Sequence, residues 1–142
     1  QGYMVPPDLH YLRNRIKKRG DKSVSFLSAA LGTALDIKPI LHCNRGDTAP
    51  VGKVKGLGNA VEKMLDFASS RVRAGLMTPT VGLCYGGDLD EMRAMPGYAR
   101  LRETCAEHNV EVFETFMGLS GLVNVGKGAM VVAFAAEAHK FE

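Results

Sequence analysis

The spacing of apolar residues predicts two long helices in this chain. Over residues 57–72 apolar positions recur at helical spacing, with polar positions on the opposite face. A second helix is predicted from Ser23 or Ser25, either of which can cap it, to about Leu35, and it is apolar on almost every side. Such a helix is either buried in a core or forms the wall of an apolar cavity, and the pattern leaves both readings open.

Strand patterns are spread between and after these helices. Residues 37–43 and 51–55 predict an antiparallel hairpin around a turn at residues 44–47, and Pro39 indicates a bulge or an edge. Three more strands are predicted, at residues 80–85, 110–117 and 129–136. The last strand is uninterruptedly apolar and is therefore expected to be central. This order of elements predicts an α/β or α+β fold with a mixed sheet.

Length and composition indicate one soluble domain. The chain has 142 residues, of which 46% are hydrophobic and 23% charged. The longest apolar run is residues 129–136, far short of the roughly 20 residues that span a bilayer, so no transmembrane segment is expected. No secretory signal pattern opens the chain, and three widely spaced cysteines favour a reducing, cytoplasmic setting. Residues 1–7, which lack an initiator methionine, are expected to be a linker or cut edge before a domain at residues 8–142.

Positive charge is concentrated in one short segment. Between Arg13 and Lys22 lie six basic residues and one acidic residue, whereas the whole chain has 18 basic and 15 acidic residues. Tyr11 is the one aromatic residue near this segment, and no wider basic face is evident, which argues against nucleic-acid binding. The segment is either a solvated surface, a phosphate contact or a docking site for an acidic partner.

Candidate catalytic and metal-binding motifs are weak throughout. The four histidines are far apart and no Cys-x-x-Cys exists, so no metal site is predicted. Residues 118–122 (GLSGL) differ from a nucleophile elbow, and residues 126–128 (GKG) are not followed by a predicted helix that could hold a phosphate. The glycine-rich loop expected at residues 118–128 is either a plain connection or a site where backbone N–H groups, Lys127 and Asn124 meet a small anionic or polar head group.

Four segments, in order along the chain, carry a resemblance to a known family. Residues 8–12 (DLHYL) resemble D-L-x-Y-L, residues 30–40 (ALGTALDIKPI) resemble L-G-x-L-L-N-I-K-P-I, residues 53–56 (KVKG) resemble K-V-R-G, and residues 124–129 (NVGKGA) resemble H-T-G-P-G-A. These are motifs of the second, C-terminal domain of the DegV family, bacterial proteins that bind a fatty acid between two lobes. The resemblance implies a mixed, largely antiparallel sheet flanked by helices.

Two positions depart from the family pattern. Ser23 stands where the family usually has the arginine of K-G-G-R-I-S, and Asn124 replaces a histidine that helps to hold the lipid carboxylate. An asparagine side chain donates hydrogen bonds but carries no positive charge. The resemblance implies a long-chain fatty-acid site lined by residues from the apolar helix, the strand that follows it and the glycine-rich loop. These residues are Ser23, Val24, Phe26, Leu27, Ala30, Leu31, Ile37, Asn124, Val125 and Gly126.

The resemblance also implies a function and two protein partners. It implies a carrier that is not an enzyme and has no cofactor, and that forms one lobe of a two-lobe protein with a first DegV lobe. Such a carrier presents its fatty acid to a separate kinase resembling dihydroxyacetone kinase. The alternative is a regulatory or docking module of the same fold that has lost lipid binding. The candidate docking residues for an acidic partner are Arg13, Arg15, Lys17, Lys18 and Arg19.

Overall fold

The computed structural model describes residues 1–10 and 36–142. The strands in these residues are β1 (Gly2–Val5), β2 (Ile37–Asn44), β3 (Asp47–Lys55), β4 (Thr80–Tyr85), β5 (Glu111–Phe116) and β6 (Met130–Phe134). The helices are α1 (Leu57–Ala74), α2 (Leu89–Arg93), α3 (Tyr98–Glu107) and α4 (Leu119–Val125). The strands form one sheet in the order β3-β2-β1-β6-β4-β5.

The predicted mixed, largely antiparallel sheet is confirmed. Among the described strands β4 and β5 pair in parallel, and the other four neighbouring pairs are antiparallel. The hairpin of β2 and β3 has a register shift between Ile40 and Leu41, one residue after Pro39, where a bulge or an edge was expected. The apolar strand β6 is central, as its sequence predicts, because β1 and β4 pair on its two sides.

One face of the sheet, which we call the helix face, carries the main core. Helix α1 has the predicted bounds to within two residues, and it packs against α3 and against strands β1, β2, β3 and β6. Its apolar stripe includes Val61, Met64 and Leu65, each with no exposed surface, so the amphipathic pattern of residues 57–72 is satisfied by burial against the sheet. The strand side chains on this face include Tyr3, Ile40, Val81, Leu83, Val132 and Phe134.

Residues 1–7 were expected to be a linker or cut edge, and the linker interpretation is wrong for residues 2–5, which form β1. Strand β1 lies in the interior of the sheet, and Gly2 is opposite both Cys43 of β2 and Ala133 of β6. Tyr3 and Val5 are buried in the core. The segment was mistaken for a linker because its pairing partners are distant in the sequence and leave no local pattern. The domain assigned to residues 8–142 stays a prediction.

The expected loop at residues 118–128 is also corrected, since residues 119–125 form helix α4. Gly121 suggested a loop, but a side chain at that position would overlap Met117, so close packing explains this glycine. The predicted apolar helix at residues 23–35 and the basic segment at residues 13–22 lie outside the described residues. Within the described part of the chain, no helix is long and apolar enough to cross a membrane.

Candidate ligand-binding face of the sheet

The sheet has a second face, opposite the helix face, and it carries two rows of small or apolar residues. Strand register places them side by side across five strands, because alternate residues of a strand point to opposite faces. The first row, which we call the small-residue row, is Cys43, Gly2, Ala133, Gly82 and Phe113. The second row, which we call the apolar row, is Leu41, Met4, Val131, Cys84 and Thr115.

These rows are covered unevenly. Leu41 and Met4 are buried in a second apolar cluster, separate from the main core, together with Leu9, Val125 and Ala129. Toward the other end of the rows, Val131 and Cys84 are half-buried and Ala133 is exposed. The described residues therefore cover the second face at the β1 and β2 end and leave its floor accessible over β6 and β4.

The shape of this floor suits a long, thin, apolar ligand. Glycine has no side chain and alanine has only a methyl group, so the backbone itself forms the floor of the small-residue row. Neighbouring strands lie about 4.8 Å apart, so five strands span about 19 Å, the length of about 15 carbon–carbon bonds in an extended acyl chain. Phe113 closes the row at β5, and its side chain is 60% exposed.

Cys84 adds no charge to the floor. Burial raises the pKa of its thiol, because an apolar environment disfavours the thiolate. The neutral thiol then acts as a small hydrophobic side chain next to Val131. Cysteines 43, 84 and 105 are all free, as expected from their use as small apolar residues.

The turn after β4 fixes the segment between α4 and β6 at one end of the second face. The N–H of Gly86 donates to the carbonyl of Ala129 at 2.9 Å, and the N–H of Gly128 donates to the carbonyl of Gly86 at 2.8 Å. A Cβ at Gly86 would lie 3.1 Å from the Gly126 oxygen and the Gly128 nitrogen, both of which are backbone atoms. Glycine at position 86 therefore permits the close approach of these two segments.

The four predicted site residues in the described chain have different positions. Val125 packs in the cluster with Leu41 and Met4, and the alternation along β2 puts Ile37 on the same face as Leu41. Gly126 is buried, and its N–H donates to the carbonyl of Leu122 at 2.9 Å. The structure thus brings Ile37 and Val125 to the second face. The other predicted lining residues, Ser23, Val24, Phe26, Leu27, Ala30 and Leu31, lie outside the described residues.

Asn124 is engaged within its own helix. Its Nδ2 donates to the carbonyl of Ser120 at 2.6 Å, the residue one turn earlier in α4. The backbone N–H groups of Gly126, Gly128 and Ala129 are also bonded within the protein, contrary to the expectation that this segment offers free donors. A head group at this end would therefore meet the second N–H of the Asn124 amide and the exposed Lys127 rather than a cradle of backbone donors.

Most of the second face was not predicted. A strand was predicted at residues 80–85, but Gly82 and Cys84 within it were not identified as part of a binding surface. The available signal was the coincidence of small residues at alternate positions of β1, β4 and β6, but it becomes visible only once the register is known. The described residues hold no group of three or more His, Cys, Asp or Glu side chains that could bind a metal.

Four exposed apolar side chains lie on the edge strand β5 and on α4, which follows it. The side chains of Phe116, Leu119 and Val123 are 71%, 78% and 63% exposed. Phe113 is on the second face of β5, whereas Phe116, three residues later, points to the helix face. Leu119 and Val123 are four residues apart and share one face of α4. We call these four residues the edge patch. Exposed apolar clusters of this kind mark surfaces that contact another body.

In the described residues, the fold is therefore an α+β domain in which the main core lies on the helix face and the second face keeps an accessible apolar floor over β6 and β4. The chain belongs to the DegV family: the family model described as "Uncharacterised protein, DegV family" matches residues 1–137. A DegV domain-containing protein of Xanthomonas campestris pv. campestris is 56% identical over 140 residues, which are 99% of this chain and 45% of that protein. The chain thus spans about half the length of the curated relatives that it matches.

Solved structures show the same fold. A fatty acid binding DegV family protein from Streptococcus agalactiae superimposes with a TM-score of 0.67 at 20% identity, covering 96% of this chain and 44% of that one. DegV from Bacillus subtilis, described as a fatty acid binding protein, gives a TM-score of 0.65 at 21% identity over 96% of this chain and 44% of its own. At these identities the likeness establishes the fold.

Proposed function

We propose that this chain is one lobe of a two-lobe carrier protein that binds a long-chain fatty acid, with the acyl chain lying across the small-residue row. The observation that carries the proposal is the accessible apolar floor on the second face, about as long as such a chain. Burying an acyl chain there removes apolar surface from water, at about 0.8 kcal/mol per methylene group. The fatty-acid binding described for related DegV proteins from S. agalactiae and B. subtilis supports it.

Narrowing the floor at Gly82 tests this function directly. A Cβ at Gly82 would meet the Ala133 oxygen at 3.9 Å, an ordinary contact, and valine is well suited to a strand. Gly82→Val in the full-length protein should therefore keep the fold and lower fatty-acid affinity at least about tenfold, because its methyl groups occupy space above the floor. Ala49→Val, on the exposed edge strand β3, is the control and should bind normally.

The measurement is calorimetric titration with a fatty acid of about 16 carbons, alongside urea unfolding of each variant. Equal affinity in Gly82→Val and Ala49→Val, with both folded, would remove the small-residue row from the site. Equal losses in both would indicate a general effect on the strands instead.

A second function is favoured by the environment of Asn124. Its amide donates to Ser120, and the nearby backbone donors are already bonded, so carboxylate recognition by this lobe is weaker than in family members with a histidine there. A regulatory or docking module that has lost lipid binding fits this observation. Native mass spectrometry of the full-length protein from its host separates the two, since a copurifying fatty acid supports the carrier and a repeatedly empty protein supports the module.

The edge patch is the surface that we assign to the first lobe. More than half the length of the curated relatives lies outside the region matched by this chain, and the edge patch exposes four large apolar side chains on β5 and α4, of which Phe113 also ends the small-residue row. Contact there would shield both the patch and the ligand from water. Replacing Phe116 and Leu119 together by serine should loosen the lobes and raise the radius of gyration in small-angle scattering. An unchanged radius would contradict this contact.

We assign partner docking to the basic residues Arg13, Arg15, Lys17, Lys18 and Arg19, and the partner implied by the family is a fatty-acid kinase resembling dihydroxyacetone kinase. Complementary charge accelerates association in a salt-dependent way. Lys18→Glu combined with Arg19→Glu should slow association with such a kinase while lipid affinity stays unchanged. Identical association rates across a salt series would argue for an ordinary solvated surface.

A further inference from the structure

Residues 135–142, which we call the strap, leave β6 and fold back onto an aromatic cluster at the β1 end of the helix face. Gln1 Nε2 donates to the Ala136 carbonyl at 3.3 Å, and the Phe141 ring lies 4.5 Å from the Phe67 ring of α1. The family model matches residues 1–137, so His139 and Phe141 lie beyond the segment that it describes. Residues 138–142 of the strap therefore lie beyond the family match.

His139 joins the strap to the core by one hydrogen bond whose direction the geometry defines. Its Nδ1 lies 2.6 Å from the carbonyl oxygen of Glu137, which only accepts, so Nδ1 carries a hydrogen. In the neutral ring, Nε2 is then an acceptor, and the Tyr3 hydroxyl donates to it at 2.9 Å. Tyr3 is 1% exposed, so its hydroxyl has little access to water.

Protonation of His139 reverses this arrangement. Nε2 becomes a donor, and the buried Tyr3 hydroxyl must turn to accept, which leaves its own hydrogen without an acceptor among the described residues. A buried hydroxyl hydrogen without a partner is costly. The neutral ring of His139 therefore fits the closed strap and the charged ring does not.

Other titratable and charged groups around the strap lie on β2 and α1. His42 of β2 stacks on Tyr3 with ring centroids 4.7 Å apart, and burial and a positive charge on His139 both lower the pKa of His42. From α1, the Arg71 charge acts on Tyr3, and Lys63 Nζ lies 5.9 Å from the centre of the Phe141 ring. The Nε atom of Arg71 is buried and has no hydrogen-bond partner in the described part of the chain.

We propose that His139 is a pH-sensitive latch and that protonation of its ring releases the strap from Tyr3. Release is expected on acidification, when the ring gains its second N–H proton. It uncovers the aromatic surface of Tyr3 and Phe67 at the end of the helix face. This device is independent of the proposed lipid site, which lies on the opposite face of the sheet.

Nuclear magnetic resonance of the full-length protein with ring-labelled phenylalanine tests the latch. The Phe141 signal is assigned with Phe141→Leu, and its contact with Phe67 is followed from pH 7.5 to pH 5.5. In the wild type the ratio of released to bound strap should rise at least about threefold on acidification. In His139→Gln, which cannot titrate, the ratio should be constant. His108→Gln, which removes an exposed histidine at the end of α3, should respond like the wild type.

A second variant keeps the test decisive if His139→Gln releases the strap at every pH. Tyr3→Phe keeps the ring but removes the hydroxyl, so protonation of His139 no longer leaves a buried hydroxyl hydrogen without an acceptor, and the pH response of the strap should be lost. A wild-type strap that stays bound at pH 5.5 overturns the proposal. So does a pH response that persists in Tyr3→Phe, or one that is lost in His108→Gln.

Discussion

Adding one methyl group at Gly86 tests how the turn after β4 positions the segment between α4 and β6. In Gly86→Ala the new Cβ would lie 3.1 Å from the Gly126 oxygen and the Gly128 nitrogen, and 3.2 Å from the Ala129 nitrogen. All three are backbone atoms, so no flexible side chain can move aside. The segment must shift by a few tenths of an ångström, and the shift stretches the two hydrogen bonds that join it to Gly86.

The cost follows from these contacts. Adding one carbon to a closely packed site lowers the free energy of unfolding by about 1 to 3 kcal/mol. Each of the two weakened backbone hydrogen bonds lowers it further, by less than about 1 kcal/mol. The matched control is Gly82→Ala in β4, where the new Cβ meets the Ala133 oxygen at 3.9 Å. Without a clash, replacing a strand glycine by alanine stabilises by about 0.4 to 1 kcal/mol through the unfolded state.

Urea unfolding of the full-length protein gives both numbers. We expect Gly86→Ala to lower the free energy of unfolding by about 2 kcal/mol relative to the wild type, and Gly82→Ala to leave it equal or higher. If the two variants differ by less than about 0.5 kcal/mol, the close approach at Gly86 does not constrain this segment, and the reasoning from backbone contacts is refuted.

Three further changes have expected outcomes. In calorimetric titrations, Asn124→His should keep or raise fatty-acid affinity because it restores a side chain that can be cationic, and Asn124→Ala should lower it; equal affinities would exclude residue 124 from the site. Burial raises the pKa of Glu114, but hydrogen bonds from Tyr98 and Arg93 outweigh burial and leave that pKa lowered. The ionised carboxylate therefore stabilises the fold fully above its unfolded pKa of about 4.3, and this stabilisation is lost as the pH falls through the lowered folded pKa. The destabilisation by Glu114→Gln in urea unfolding should be largest near pH 7 and shrink on acidification below about pH 4.3; a pH-independent difference would contradict it. Leu83→Ala, at a core position 1% exposed, should cost about 2 to 5 kcal/mol, and a loss below about 1 kcal/mol would contradict the assignment of the helix face as the main core.

The sequence predicted those elements whose signal is local. Helix α1 has a regular apolar stripe, and β6 is uninterruptedly apolar. Two helix ends also follow local rules: Asn109 adopts a left-handed conformation (φ 54°) after α3, and Asp88 caps α2 by accepting from the N–H of Asp90 at 2.8 Å. Helix propensity, capping and burial all act within a few residues, which is why these features can be read without the fold.

The features that could not be predicted depend on distant contacts. Strand β1 is four residues long and is identified by its pairing with β2 and β6, and the glycine in α4 is explained by its contact with Met117. The proposed site belongs to this second class, because the small-residue row consists of residues from five strands that are neighbours only in the sheet. The resemblance to the DegV family correctly gave the fold, whereas the residues of the site itself stay predictions.

The position of β1 has a consequence for how the domain folds. Gly2 pairs with Ala133, so the first strand of the described chain can pair fully only after the last strand has formed. Closing so long a loop is slow, and the strand edges of β1 and β6 are open to wrong pairing in the meantime. Any shorter version that begins at Asp8 would lack the strand that joins β2 and β3 to the rest of the sheet. We expect such a fragment to collapse into two separate pieces of sheet and to aggregate, however complete its helices are.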